Sequence, residues 1–245
     1  MSVDADTGTR PARSLRPDAL LVLASLLIVL ALAVTVALTV GAAGIPFSRL
    51  PAALGFSPDL SYPQAARDQL VMWSIRLPRI AAAAMVGGLL AAAGTVMQGL
   101  FRNPLADPAL VGVSSGGALA AAAAIVLIDS RFGESVRFMQ HELLPLAAFA
   151  GSLATTLVLY RIASRGGRTS IATFMLAGLA IAAIANAGIG MLVFVADDRQ
   201  LRDITFWLLG SMSGATWPKA LTLAPVLALA LAACISIARS LDVLV

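Results

Sequence analysis

Charged residues are scarce in this sequence. Lys, Arg, Asp and Glu together make up 12% of the 245 residues, whereas soluble domains typically carry about 25%. Apolar residues reach 59% and occur in long blocks rather than in the spaced stripe of a surface helix. A soluble domain is therefore excluded. Membrane-crossing helices are expected, because a spanning helix needs about 20 mostly apolar residues.

Cysteine, histidine and lysine each occur once, as Cys234, His141 and Lys219. A single cysteine excludes a disulfide framework, and its apolar neighbours predict a buried small side chain. No His, Cys, Asp and Glu cluster has the spacing of metal ligands, so we predict neither a metal site nor another cofactor. The net charge of +4 comes almost entirely from arginines scattered between apolar blocks. That scatter argues against nucleic-acid binding.

Six apolar blocks divide the chain into a short tail and one membrane domain. Residues 1–17 are predicted to be a flexible cytoplasmic tail, and residues 18–245 the transmembrane domain. The first block resembles a cleaved signal peptide in its basic flank, but its length is typical of a retained helix, since a signal core has only about 7–15 residues. The spans are predicted at residues 19–43, 80–101, 110–128, 143–160, 171–196 and 218–238.

The segments between the predicted spans are mostly polar. Residues 44–75 contain four prolines and are predicted to be a mixed loop. Residues 197–203 are predicted to be a charged break, followed by a short amphipathic helix over residues 206–212. The basic residues divide almost evenly between the two sides of the membrane, so the positive-inside rule does not orient the chain.

Small residues in the predicted spans indicate where helices approach one another. In lipid, helices associate through close van der Waals contact, which small side chains permit. The positions predicted to pack in this way are Gly87, Gly88, Gly94 and Gly178.

Two arginines stand just before the second predicted span. Pro78, between them, suits the first turn of a helix, where its missing N–H costs nothing. Arg76 and Arg79 are three residues apart and would point roughly the same way. They are interpreted either as interfacial side chains that reach toward water or as cations that pair with carboxylates on a partner.

Two prolines restrict the backbone of the connector after the second span, residues 102–108. Pro104 and Pro108 stop any helix and push the residue before each toward extended geometry. The connector is therefore predicted to be a stiff turn, which is either a simple loop or part of a pore mouth or gate.

Several motifs follow one another in a fixed order along the chain. They are Arg76-Leu77-Pro78-Arg79, Gly87, Ala93-Gly94, Gln98, Asn103-Pro104-Leu105-Ala106-Asp107-Pro108, Gly112, Gly116-Gly117-Ala118, Leu176-Ala177-Gly178 and Phe206-Trp207-Leu208-Leu209-Gly210-Ser211. In this order they resemble the FecCD family, the permease subunits of ABC importers for ferric siderophores, hemin and cobalamin. The resemblance covers about residues 70–240, and the segment 196–217 is most similar to the hemin permeases.

The resemblance implies an all-α fold, a polytopic transmembrane helical bundle of the type II ABC importer permease. Such a subunit has about ten spans and an N-terminus in the cytoplasm, and it lies in the inner membrane. Its implied partners are membrane lipid, a second permease subunit (expected to form a homodimer), cytoplasmic ATPase subunits and a periplasmic substrate-binding protein. With six predicted spans, this chain is expected to be truncated in its C-terminal part.

The resemblance also implies roles for individual residues. Arg76 and Arg79 are expected to dock the binding protein, Asn103 and Leu105 to contribute to a cytoplasmic gate, and Ile171 and Ala172 to form a second gate position. A phosphate-binding loop is missing, since Gly166-Gly167-Arg168-Thr169-Ser170 lacks the required lysine. The chain is therefore predicted not to be an enzyme, and a partner would hydrolyse the ATP.

The predicted cargo is an iron chelate, with hemin favoured and a ferric siderophore or cobalamin as alternatives. A heme-ligand role for His141 is disfavoured, because it falls in a polar outer loop. A secondary transporter is the rival class, but no Asp, Glu, Lys or Arg lies deep within a predicted span, where ion coupling would need one. A membrane scaffold that transports nothing is the second rival.

Overall fold

The computed structural model describes residues 19–56, 63–132, 140–165 and 168–244. The predicted tail over residues 1–17 lies outside these ranges. The chain divides into two compact units, Met1–Ile80 and Ala81–Val245. In chain order, the helices are α1 (Ala19–Thr39), α2 (Leu50–Leu54), α3 (Ala65–Val71), α4 (Leu77–Phe101), α5 (Val113–Phe132), α6 (Gln140–Ala163), α7 (Ile171–Val195), α8 (Asp198–Leu209) and α9 (Trp217–Leu244).

The first unit is helical over much of the segment predicted as a mixed loop, so that prediction is wrong for residues 47–54 and 65–75. A 3-10 turn, Phe47–Arg49, leads into α2, and Pro51 lies in the first turn of α2, where proline is tolerated. Apolar burial explains why these short helices form. Their core consists of Ile45, Leu50, Ala53 and Met72, with Leu38, Leu54, Val71 and Leu77 packed around it.

Pro78 lies inside a longer helical run instead of beginning a helix. A π-helical segment, Met72–Arg76, joins α3 to α4 without a break. In a regular α-helix, the ring of Pro78 would clash with the carbonyl of Ser74, four residues earlier, and no N–H would reach that carbonyl. The wider π turn at this point accommodates the proline, which is buried.

In the second unit, α5 is the most enclosed helix and packs against α6, α7 and α8. Ala121, Ala122, Ile125 and Val126 on α5 are buried. A short antiparallel hairpin of β1 (Ser164–Arg165) and β2 (Arg168–Thr169) joins α6 to α7. The core on the α8 side of α5 consists of Ala122, Ile125, Val126, Ile189 and Ile204.

Helix α8 begins well before the predicted amphipathic piece, so the predicted charged break over residues 197–203 is wrong. Asp197 caps the helix: its Oδ1 accepts hydrogen bonds from the amides of Arg199 and Gln200 at 2.9 and 2.8 Å. The Gln200 side chain in turn accepts from the Asp197 amide at 3.2 Å, which completes a capping box. Charged residues therefore start this helix rather than interrupt the chain.

Five helices of the described residues are long and apolar enough to cross a membrane. They match five of the six predicted spans in position; the remaining one, α5, has a shorter apolar part, Val113–Leu127. Large apolar side chains on these helices are exposed, with Phe194 at 90%, and α1 has no buried residue. Such surfaces suit lipid or neighbouring helices, so the predicted all-α membrane architecture is confirmed. The five helices are Ala19–Thr39, Ala65–Phe101, Leu143–Ala163, Ile171–Val195 and Trp217–Ile237.

Candidate functional site

The two arginines that flank Leu77-Pro78 have different surroundings, both within the first unit. Arg76 is 7% exposed, and its Nη1 donates a hydrogen bond to the carbonyl oxygen of Leu38, in the last turn of α1. Arg79 is half-buried. We define residues 72–79 as the arginine segment. The two arginines therefore differ in burial, although they stand in one short motif of the sequence.

Helix α4 ends in a Schellman-type turn with an arginine in the left-handed position. Arg102 has a φ of 49°, in a region that glycine usually occupies. Its amide donates to the Gly99 carbonyl at 3.3 Å. The Asn103 amide donates to the Gln98 carbonyl at 3.2 Å. These bonds satisfy carbonyls that a helix end leaves without partners, and they fix the direction in which the chain leaves α4.

The connector beyond α4 is stiffened by two side-chain caps. Asn103 Oδ1 accepts from the amide of Leu105 at 2.9 Å, and Asp107 Oδ1 accepts from the amide of Ala109 at 2.8 Å. Between these caps, the Ala106 amide donates to the Asn103 carbonyl at 3.0 Å. Leu105 is held at the apex of this turn with 83% of its surface exposed. The connector therefore presents an apolar side chain on a rigid polar frame.

The beginning of α7 lies beside the end of α4. Ser170 caps α7, since its Oγ accepts from the Thr173 amide at 3.3 Å. The predicted gate residues Ile171 and Ala172 are the first residues of this helix, and both are exposed. The rings of Phe101, at the end of α4, and Phe174, in the first turn of α7, have centroids 6.1 Å apart at an interplanar angle of 52°. This edge-tilted contact is typical of aromatic pairs.

The structure thus brings the two predicted gate segments to the same end of the second unit. Phe101 immediately precedes the connector that carries Asn103 and Leu105, and Phe174 follows Ile171 and Ala172. Among the described residues, no hydrogen bond joins the side chains of one pair to those of the other. The two segments are therefore neighbours through the contact between Phe101 and Phe174.

A glycine pair fixes the other side of the connector. A Cβ added to Gly112 would lie 2.5 Å from the carbonyl oxygen of Gly178 on α7. A Cβ added to Gly178 would lie 2.7 Å from the carbonyl oxygen of Val111. Gly112 also has a φ of 74°, which other residues rarely adopt. Both positions therefore require glycine, and Gly178 contacts the 3-10 turn Pro108–Val111 directly.

The other glycines predicted to pack differ in what surrounds them. A Cβ on Gly88 would lie 3.2 Å from Leu227 Cδ1 of α9. A Cβ on Gly87 or Gly94 would meet nothing within 4 Å among the described residues. Packing at Gly87 and Gly94 stays a prediction, and it concerns surfaces that α4 leaves open within the described chain.

The tightest helix contact was not predicted from the sequence. On α5, a Cβ at Gly116 would lie 1.8 Å from Thr155 Oγ1, and one at Gly117 would lie 2.4 Å from Ser152 Oγ, both on α6. A Cβ at Gly151 of α6 would lie 2.6 Å from the Gly116 carbonyl. The run Ser114-Ser115-Gly116-Gly117 was the available signal, since adjacent glycines in a spanning helix permit backbone contact.

The described residues of this arrangement carry no reactive constellation. No group of three or more His, Cys, Asp or Glu that could hold a metal occurs in the described ranges. The side chain of Asp107 is engaged in capping, and Leu105 has no chemistry beyond apolar contact. The site is therefore best described as a candidate gate: the connector 102–112 together with the first turn of α7.

Comparison with known proteins gives one family. Residues 26–245 match the model of the FecCD transport family. The cobalamin import system permease protein BtuC of Halobacterium salinarum is 37% identical over 245 residues, which cover 99% of this chain and 63% of that protein. The hemin transport system permease protein HmuU of Yersinia pestis is 44% identical over 150 residues, 60% of this chain and 43% of that protein.

A further relative and a solved structure agree with this match. The vitamin B12 import system permease protein BtuC of Salmonella newport is 38% identical over 66% of this chain and 48% of its own length. A structure described as an inward-facing conformation of a metal-chelate type ABC transporter superimposes with a TM-score of 0.71 at 27% identity, over 91% of this chain and 64% of that one. The chain spans about two thirds or less of the length of each of these proteins.

Proposed function

Because the chain belongs to the FecCD transport family, we propose that it acts as a membrane-spanning permease subunit of an ABC importer. The observation that carries this proposal is the candidate gate. Its connector is capped at both ends, holds Leu105 exposed, and is locked to α7 by the contact between Gly112 and Gly178. A gate needs a stiff frame that moves as one piece and an apolar surface that closes against a second surface.

The proposed location is the inner membrane, with the N-terminus in the cytoplasm. If α1 starts on the cytoplasmic side and each later span crosses in turn, the connector and the β1–β2 hairpin both fall on that side. The contact between Phe101 and Phe174 supports this, because it brings the ends next to these two segments together. The proposed gate is therefore cytoplasmic.

The proposed cargo is a metal chelate, with hemin as the first candidate. Two observations support it: a hemin permease is 44% identical to this chain over 150 residues, and the structural neighbour is described as a metal-chelate type ABC transporter. A metal already wrapped by its chelator needs no ligands from the protein. Cobalamin is the second candidate, since the relative that aligns with 99% of this chain is a cobalamin permease.

The proposed partners are a second copy of this subunit, cytoplasmic ATPase subunits and a soluble substrate-binding protein. Open small-residue surfaces on α4, at Gly87 and Gly94, suit close packing against another transmembrane helix. Docking of the binding protein by Arg76 and Arg79 stays a prediction. Charged pairs at the rim of an interface chiefly set orientation and association rate, and half-buried Arg79 is more accessible than Arg76 in this structure.

The test is reconstitution of the full-length protein with candidate ATPase and binding-protein subunits in proteoliposomes. Uptake of labelled hemin, cobalamin and a ferric siderophore is measured with and without ATP inside the vesicles. The proposal expects ATP-dependent uptake of one chelate, hemin above the others. Uptake driven by a proton gradient without ATP would instead establish the secondary-transporter class, and loss of all uptake with retained partner binding would favour a scaffold.

A matched pair of variants tests docking. Arg79→Glu places a negative charge where a partner carboxylate is expected, so association with the binding protein should slow at least tenfold at low salt and less at high salt, because salt screens the repulsion. Arg67→Glu makes the same charge change at an exposed position on α3 and serves as the control. Equal association rates in the two variants would refute docking by Arg79.

A further inference from the structure

Arg76 makes a contact inside the chain that its predicted docking role does not explain. Its guanidinium is buried, and Nη1 donates to the carbonyl of Leu38, which is 38 positions earlier in the sequence. Leu38 is the penultimate residue of α1. Its carbonyl is one of the last four of that helix, which lack partners within the helix itself.

The end of α1 is otherwise closed by short local bonds. The Val40 amide donates to the Val36 carbonyl at 2.8 Å, and the Gly44 amide donates to the Gly41 carbonyl at 2.9 Å. These bonds satisfy Val36 and Gly41 but leave the Leu38 carbonyl to Arg76. A cation at a helix C-terminus is also favoured by the helix dipole. The Arg76 guanidinium thus combines the two features of a helix cap, a donor and a positive charge.

Gly41 leaves room for this guanidinium. It has a φ of 156°, and a Cβ built on it would lie 3.2 Å from Arg76 Nη2 and 3.7 Å from Cζ. A Cβ at this position would press on the tip of the Arg76 side chain, which would have to give by a few tenths of an ångström. The guanidinium of Arg76 therefore lies close against the turn after α1, at Gly41.

We infer that the side chain of Arg76, which projects from the π segment, caps the C-terminus of α1. It thereby fastens the end of the first transmembrane helix to the arginine segment. The contact lies wholly within the first unit. The cap acts in the isolated chain and does not depend on transport or on a binding protein. Arginine suits the role better than lysine, because its planar fork offers several donors in a fixed geometry.

The buried Nη2 strengthens this assignment. Among the described residues it has no hydrogen-bond partner. A buried donor without an acceptor is unfavourable, and so is a buried cation without nearby negative charge. The carbonyl end of α1 offers the partial negative charge that favours keeping this cation buried, and without it Arg76 would gain by turning toward water.

The experiment is hydrogen–deuterium exchange of the purified chain in lipid nanodiscs, with no partner present. Arg76→Met removes the donors and the charge while keeping an unbranched side chain. Exchange in a peptide covering residues 38–46, which contains the Val40 and Gly44 amides, should rise about tenfold, a change of about 1.4 kcal/mol in local opening. A peptide within α7 should be unchanged.

Two further variants complete the test. Arg76→Lys keeps the charge and should give an intermediate rise, whereas Arg67→Met, at an exposed arginine of the same unit, should leave the peptide at its original rate. If Arg76→Met unfolds the whole chain, Arg76→Lys decides: exchange above the rate of Arg67→Met supports the cap. Unchanged exchange in residues 38–46 overturns the inference.

Discussion

Gly112 and Gly178 approach so closely that a Cβ on Gly112 would lie 2.5 Å from the carbonyl oxygen of Gly178. A contact of this kind excludes every side chain larger than hydrogen unless the backbones separate. It holds the connector against α7, and in this way it ties the exposed Leu105 to a helix of the second unit. In the proposed gate, the connector is therefore fixed to α7 at Gly112, while the side chain of Leu105 stays exposed.

Substituting alanine at Gly178 should destabilise the protein, while the same substitution at Gly190 should stabilise it. A Cβ at Gly178 would meet the Val111 carbonyl at 2.7 Å, whereas one at Gly190, on the same helix, would meet nothing within 4 Å of the described chain. Overpacking costs about 1–3 kcal/mol. Replacing an exposed helical glycine by alanine gains roughly 0.5–1 kcal/mol.

Thermal unfolding of both alanine variants in detergent measures this difference. Since helix and substitution are the same, propensity alone predicts a gain at both positions. If Gly178→Ala raised the unfolding midpoint as Gly190→Ala does, the close approach to Val111 would not exist in the folded protein.

The Asp197 cap at the start of α8 leads to a separate prediction. Asp197→Ala removes the acceptor of two amides and one half of the capping box, so it should lower the free energy of unfolding by about 1 kcal/mol. Asp198→Ala is the control, because that carboxylate lies in the first turn and accepts no capping hydrogen bond from the described residues. Denaturant titration followed by Trp207 fluorescence, in a background with Trp73 and Trp217 replaced by Phe, reports on α8. An equal loss in both variants would argue for a general charge effect instead of a cap.

Within the ion pair of Arg49 and Asp68, loss of the arginine should cost more stability than loss of the aspartate. Arg49 Nη1 lies 3.0 Å from Asp68 Oδ2, in contact but without hydrogen-bond alignment, and the side chains are 29% and 2% exposed. Arg49→Met leaves a carboxylate buried without its counter-charge and should cost roughly 3 kcal/mol. Asp68→Asn leaves a cation that still reaches water, so its cost should be roughly 1 kcal/mol.

The double variant separates coupling from independent effects. Unfolding free energies of the wild type, both single variants and the Arg49→Met/Asp68→Asn pair form a double-mutant cycle. We expect the pair to cost less than the two changes added together, because the buried charge is gone. Strict additivity would show that the two side chains do not interact in the folded state.

Leu105 should matter for transport and not for stability. Its side chain is 83% exposed, so Leu105→Ser should change the unfolding midpoint by less than the equivalent of about 0.5 kcal/mol. If Leu105 seals the proposed gate, ATP-independent leakage of substrate through the reconstituted full-length importer should rise severalfold. Leu209→Ser, at an exposed position on α8, should leave leakage unchanged. Equal leakage in both variants would remove Leu105 from the gate.

Sequence patterns predicted the parts of this fold that depend on local composition. The span predicted at residues 171–196 corresponds to α7, Ile171–Val195, because a long apolar block flanked by polar residues defines its own limits. The start of α8 was missed, since three aspartates and two arginines look like a break unless Asp197 and Gln200 are recognised as a reciprocal cap.

The candidate site was only partly predictable for a different reason. Asn103 and Asp107 act within two residues of themselves, so the stiffness of the connector follows from the sequence. The burial of Arg76 depends on Leu38, far away in the chain, and no spacing between Arg76 and Arg79 contains that information. Contacts between distant segments are set by tertiary packing, which a single sequence does not display.

The π segment Met72–Arg76 also sets the angle by which α3 is rotated about the helix axis relative to α4. Met72 and Leu77, five residues apart, both pack on the core around Ile45, although successive residues of an α-helix turn by about 100° and would place them on different sides. Deleting one residue from this segment would remove the extra residue of the π turn and rotate α3 by about 100° about its axis, but it would also bring the ring of Pro78 against the carbonyl four residues earlier. The carboxylate of Asp68 would then leave Arg49, so the deletion would separate the ion pair of the first unit.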